Sequence, residues 1–84
     1  MDHYLFLAKS VTTAQRMQQI LERSGVHSAV SRAPTGLSKQ GCAYAVRVGK
    51  TQYKQARVSL KDAGIALSGI YLWIGGSYRE VRDE

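Results

Sequence analysis

Two stretches of helical periodicity, set among four short strand-like runs and closed by look-alike exits, predict an α+β sandwich for this chain. The exits read I-L-E-R-S-G-V and S-L-K-D-A-G-I, a weak internal repeat of a βαβ unit. Length agrees: 84 residues make one small domain. A composition of 44% hydrophobic and 21% charged residues is that of a globular chain, not a disordered one. Lone Cys42 excludes an internal disulfide, and no Cys/His group has zinc-ligand spacing, so the core must come from packed layers without a staple, helped at most by self-association.

The elements follow in order. Tyr4 to Ala8 (Y-L-F-L-A) is an apolar run read as a buried strand. Ser10, Thr12 and Thr13 offer helix N-caps, with Thr12 and Gln15 at capping-box spacing. Ala14, Met17, Ile20 and Leu21 then form one helical stripe, stopped by Gly25. His27 to Arg32 is a polar strand suited to a sheet edge. After the loop Ala33 to Gln40, Ala43 to Val48 is a second strong strand, broken by Gly49. Thr51 is expected to cap a second helix with the stripe Tyr53, Ala56, Leu60 and Ala63, closed by Gly64. Gly69 to Ile74 is the last strand, stopped by Gly75-Gly76. The domain is therefore set at residues 1–76, with 77–84 a charged tail, frayed or docked as an add-on.

This order suits a ferredoxin-like βαββαβ sandwich: a four-stranded antiparallel sheet with two helices on one face. Its first and third strands are expected side by side at the centre, as a parallel pair. Alternation assigns the faces. Ile70, Leu72 and Ile74 share a side, with Tyr71 and Trp73 on the other. Arg47 belongs on the open face with Ala43 and Ala45, because burying an unpaired guanidinium is costly; Tyr44, Val46 and Val48 then face the helices. With Leu5 and Leu7 turned inward, the open face carries Phe6, Tyr71 and Trp73, a surface for a partner or a homodimer.

The net charge of +6 comes from twelve Lys and Arg spread along the chain, a solvated basic surface first and an anion-binding one second. No N-terminal run has the form of a signal peptide and no apolar run approaches a membrane span. With the unpaired thiol, this points to a reducing cytoplasm.

Chemistry is sought in Pro34 to Val48, which holds the only proline and the only cysteine. Gly36 and Gly41 have phosphate-loop spacing, but Cys42 and Ala43 stand where lysine and a hydroxyl residue should follow, and a strand follows instead of a helix. A nucleotide loop is excluded. An RNA-recognition module shares the element order, with Phe6 and Tyr44 as would-be stacking platforms; Cys42 in place of an aromatic and the position of Arg47 count against it. Cys42 can be an inert small hydrophobe, since it shares parity with Tyr44 and Val46. Its place after Gly41, at the end of a loop, argues for a reactive thiol. Lys39 in that loop and Arg32 across the hairpin would favour the thiolate. With His3 and His27 the only histidines, and neither near Cys42 in sequence, a triad hydrolase is not expected.

C-A-Y-A-V-R-V after a P-x-x-L-S loop, followed by the second helix and G-I-A-L-S-G-I-Y, resembles the small bacterial domains described as selenium/sulfur (Se/S) carrier protein-like. The opening Y-L-F-L and a Ser-led helix ending in G-V fit the same pattern, and the similarity spans about residues 4–72. The resemblance implies a ferredoxin-like fold and a carrier of sulfur or selenium on Cys42; catalysis would then belong to the partner enzymes, so the chain is read as a carrier without a cofactor and not as an enzyme. Lys39, Gly41, Arg32 and Arg47 would be its binding residues, and donor and acceptor enzymes its partners. The chain departs from the family pattern at Ala43, where a glycine is usual, and in a tail with Tyr78, Arg79 and Arg82. The alternative is a non-catalytic binding module, a protein adaptor through the open sheet face or an RNA-binding domain.

Overall fold

The computed structural model describes residues 2–34, 36–37, 44–65 and 67–81. Strand β1 (His3–Ala8), helix α1 (Val11–Arg23), β2 (Ser28–Arg32), β3 (Tyr44–Gly49), helix α2 (Tyr53–Asp62), β4 (Gly69–Ile74) and β5 (Ser77–Glu80) follow one another along the chain. The strands form one five-stranded sheet in the order β2-β3-β1-β4-β5, every neighbouring pair antiparallel. The α+β class and antiparallel sheet are as expected; the strand number is not. Residues 77–80, read as tail, pair with β4 from Tyr71↔Glu80 to Ile74↔Ser77. Gly75 and Gly76 make that hairpin, with φ of 62° and 83°. Two consecutive positive φ values match the right-handed twist of the flanking strands, and glycine adopts them without steric cost.

β1 and β3 are central neighbours but run antiparallel, His3 opposite Gly49 and Ala8 opposite Tyr44, which corrects the expected parallel pair. The reason is topological. A helical crossover returns the chain in its original direction, so β2 runs with β1; the reversal into β3 then opposes both.

α1 starts where its side chains dictate. The Ser10 hydroxyl accepts from the Thr13 backbone N–H at 3.2 Å, so Ser10 is the cap and Thr12 lies inside the helix. α2 starts differently from expectation. A single tight turn, Lys50–Gln52, precedes it, and its cap position Gln52 makes no side-chain capping bond, so Thr51 is not the cap. The two helices end alike. Gly25 N–H donates to Glu22 O and Val26 N–H to Leu21 O; Gly64 N–H donates to Lys61 O and Ile65 N–H to Leu60 O. Each is a Schellman stop with a left-handed glycine, and each joins a buried leucine to the apolar residue after the glycine. The repeat seen in the sequence is this stop, used twice.

Both helices bury their stripes against one face of the sheet. Ala14, Met17 and Leu21 of α1 and Ala56 and Leu60 of α2 pack with Phe6, Ala8, Val46, Val48 and Ile70. Ala63, at the C-cap of α2, is exposed and drops out of the expected stripe. Gln55 of α2 donates through Nε2 to the Ser24 carbonyl, tying α2 to the end of α1. The opposite face has its own small core of Leu5, Leu7 and Ala45, 4%, 2% and 0% exposed. Alternation in β3 and β4 thus runs as expected, and in β1 it is inverted. Phe6 is 0% exposed under the helices, not on the open face.

Candidate functional site around the β2–β3 loop

Cys42, Lys39, Gly41 and Ala43 lie outside the described residues. What the structure places is the frame on either side of them. Arg32, exposed, is the last residue of β2 and pairs with Tyr44, the first of β3. Tyr44 packs against the helix-side core, the core role its parity gave it. Arg47 is exposed three pairs further along, between Ala29 on β2 and Leu5 on β1. Val30 packs with the helices and Ala45 with the opposite core, so strand parity sets Arg32 and Arg47 on opposite faces. The frame does not bring them together. Arg47 instead lines a hollow of about 350 Å³ with Asp2, His3 and His27 at the other end of the strand. A surface ion pair beside it, Lys50 Nζ to Asp2 Oδ2 at 3.5 Å, is partly exposed at both partners and adds little to stability.

The loop's first residues are anchored. Leu37 N–H donates to Pro34 O at 3.3 Å, closing a turn. Ala33 and Leu37 pack on Leu5, Leu7 and Ala45, and the Tyr71 hydroxyl donates to the Leu37 carbonyl at 3.2 Å. The chain entering the 38–43 segment therefore crosses the face opposite the helices, and that face is not bare as expected. Leu37 is the leucine of the P-x-x-L-S loop, but no helix or strand period marked it as a core residue. Tyr71→Phe removes one hydrogen bond at this anchor, which is worth about 1 kcal/mol. Amide exchange at Leu37 should accelerate about fivefold, with β4 exchange unchanged. An unaltered Leu37 rate would show that the bond does not hold the loop.

Beyond the anchor, the same face carries a row of aromatic rings. His3, Trp73 and Tyr78 are register partners across β1, β4 and β5. His3 stacks on Trp73 with centroids 6.1 Å apart, and Trp73 meets Tyr78 at 4.6 Å, tilted by 56°. All three are half-buried. Parity found Trp73; Tyr78 was missed because β5 was missed, although Gly-Gly followed by S-Y-R-E is a hairpin signal. Phe6 belongs neither to this row nor to any stacking platform. Phe6 is 0% exposed and its ring lies parallel to Tyr53 beneath the helices at 5.9 Å, which corrects its expected place on the open face.

Among the described residues no three His, Cys, Asp or Glu side chains group as metal ligands. No helix among them is long and apolar enough to cross a membrane. Neither the curated proteins nor the solved structures compared with the chain gave a match. A family model described as "Putative Se/S carrier protein-like" does match, over residues 3–72, a span that contains all of β1 through Leu72 of β4 as well as Cys42. The chain belongs to the Se/S carrier protein-like family.

Proposed function

We propose that this protein carries sulfur or selenium on Cys42 between partner enzymes. The observation that carries this reading is the family match across residues 3–72, within which Cys42 is the only cysteine of the chain. Family chemistry of this kind needs a thiol, and this chain has one to offer. The Cys42 thiolate attacks the terminal sulfur of a donor's persulfide. The donor's S–S bond breaks, its electron pair leaves with the donor thiolate, and Cys42 becomes the persulfide. An acceptor thiolate reverses the step, so the exchange needs no external oxidant or reductant. A selenopersulfide follows the same electron count. Lys39 in the loop and Arg32 at the end of β2 balance the anion, and Gly41 gives backbone room beside it. Arg47, on the other face from Arg32, is left as a surface cation. Catalysis belongs to the partners, so the chain is a carrier and not an enzyme, working in a reducing cytoplasm without a cofactor.

The scaffold reading goes with it. The order β2-β3-β1-β4, with a helix in each of the two crossovers, supports a ferredoxin-like sandwich to which β5 is added at the β4 edge. Intact-mass analysis after incubation with a cysteine desulfurase and cysteine, or with a selenium donor, tests the function. Wild type should gain the mass of one sulfur or selenium atom, and Cys42→Ser should not. An unmodified wild type, or an equal gain in the variant, would overturn the proposal.

A second reading, a protein adaptor or homodimer through the sheet face, is favoured by the half-buried row of His3, Trp73 and Tyr78. Concentration-dependent sedimentation that Trp73→Ala abolishes would support self-association there.

A further inference from the structure

The hollow of about 350 Å³ beside Arg47 borders a strand position that carries no side chain. Gly49 closes β3 opposite His3 of β1, and His27 stands one step beyond the Ser28↔Val48 pair on the other flank. Folding does not ask for glycine there. Its φ of −62° suits any residue, and a Cβ built on it would meet no atom within 4 Å. By strand alternation that Cβ would stand on the side of Ala45 and Arg47, over the hollow that Gly49 lines. A strand glycine that packing does not require suits close approach of another molecule to the backbone.

The surroundings fit a flat anion. Two strand spacings, about 9–10 Å, separate β1 from β2 across Gly49, which is room for one planar ring with contacts of about 3.5 Å on either face. His3 makes one wall, backed on the β4 side by Trp73 at 6.1 Å and nearly parallel to it. Exposed His27 makes the other. Arg47 stands beside them, paired with the small Ala29, exposed, and without a hydrogen bond or ion pair to a described residue. Its guanidinium is a planar fork of donors that matches a carboxylate or a phosphate. Asp2 is the acid among the described lining residues, and it has its own cation in Lys50, 3.5 Å from its Oδ2. The volume lies at the lower end of the range of about 300–1,000 Å³ typical of small-molecule sites.

We propose that the Gly49 hollow binds a small planar anion, an aromatic or heteroaromatic ring bearing a carboxylate or a phosphate. The ring lies over Gly49 between His3 and His27, and the oxyanion accepts paired hydrogen bonds from the Arg47 guanidinium. The site uses none of Arg32, Lys39, Gly41 and Cys42, so the inference stands whether or not Cys42 carries sulfur.

A nuclear magnetic resonance titration of the isotope-labelled full chain tests it with two probes, orotate as a ring carboxylate and uridine monophosphate as a ring phosphate. Uracil and inorganic phosphate supply each half alone. At least one probe should shift the amides of Ala29, Arg47 and Gly49 to saturation and bind about tenfold or more tightly than either half. Whichever probe saturates identifies the head group. Arg47→Gln, at an exposed position, should weaken that probe about tenfold or more. Gly49→Val, which fills the hollow, should abolish its binding with unchanged circular dichroism. Saturation by neither probe would overturn the proposal. Inorganic phosphate or uracil binding as tightly as the ring anion, or variants that bind like wild type, would overturn it as well.

Discussion

Phe6→Ala is expected to lower the free energy of unfolding by about 3–5 kcal/mol, a large share of the roughly 5–15 kcal/mol that a small domain holds. Phe6 sits on the central strand with no exposed surface, paired with Val46 on one side and Ile70 on the other. Its ring lies parallel to that of Tyr53, and residues of both helices close over the cluster it belongs to. Truncation removes an aromatic ring from a core that both helices share with β1, β3 and β4, and rigid strands on either side limit collapse into the space. Urea unfolding measures the loss. A change under about 1 kcal/mol would place Phe6 on the outer face instead, as sequence alternation had suggested. The same variant warns against a simple binding test. Loss of a partner on Phe6→Ala would not separate a surface contact from destabilisation, so a surface test belongs at Trp73.

The misplacement of Phe6 shows where sequence reasoning runs out. Alternation reports a face only when one side of a strand is wet. β4 has such a contrast, and the sides of Ile70 and Tyr71 could be told apart from sequence. β3 has it through Arg47, whose charge cannot be buried alone. β1 has none, because Leu5 and Leu7 are as thoroughly buried as Phe6 and Ala8, each pair in a different core. A run buried on both sides reads the same in either phase. The second core was itself illegible, since it depends on Leu37 arriving from a loop and Tyr78 from a strand read as tail. The helix stripes and their glycine stops were legible because they are local. The candidate thiol was legible as chemistry, by its uniqueness and its resemblance to a family, but its surroundings depend on residues 38–43, which lie outside the described ones.

Deleting residues 77–84 should lower the unfolding free energy by about 3 kcal/mol and expose an edge that associates. The estimate is built from parts. Tyr78 and Val81 are half-buried, Tyr78 on the outer core and Val81 among the residues under the helices, so together they contribute about 2 kcal/mol. The Trp73–Tyr78 ring contact adds about 1 kcal/mol. For a domain of this size that corresponds to a fall of about 12–24 °C in Tm. The lost strand also changes what the sheet presents. With β5 present, the edge carries Arg79 and Glu80, both exposed, which discourage pairing with another chain. Without it, the edge is G-I-Y-L-W-I, a six-residue run of high strand propensity with no charge. Concentration-dependent sedimentation should therefore appear in the truncated chain together with the lower Tm. Tyr78→Ala, which keeps the strand and its charges, should cost about 1–2 kcal/mol and stay at the wild-type size. The family match stops at residue 72, within β4, so β5 lies beyond it and still closes the sheet. A truncated chain with unchanged Tm and size would return 77–84 to the status of an added tail; the hairpin geometry at Gly75-Gly76 and the placement of Val81 beneath the helices argue for the fifth strand as part of the fold.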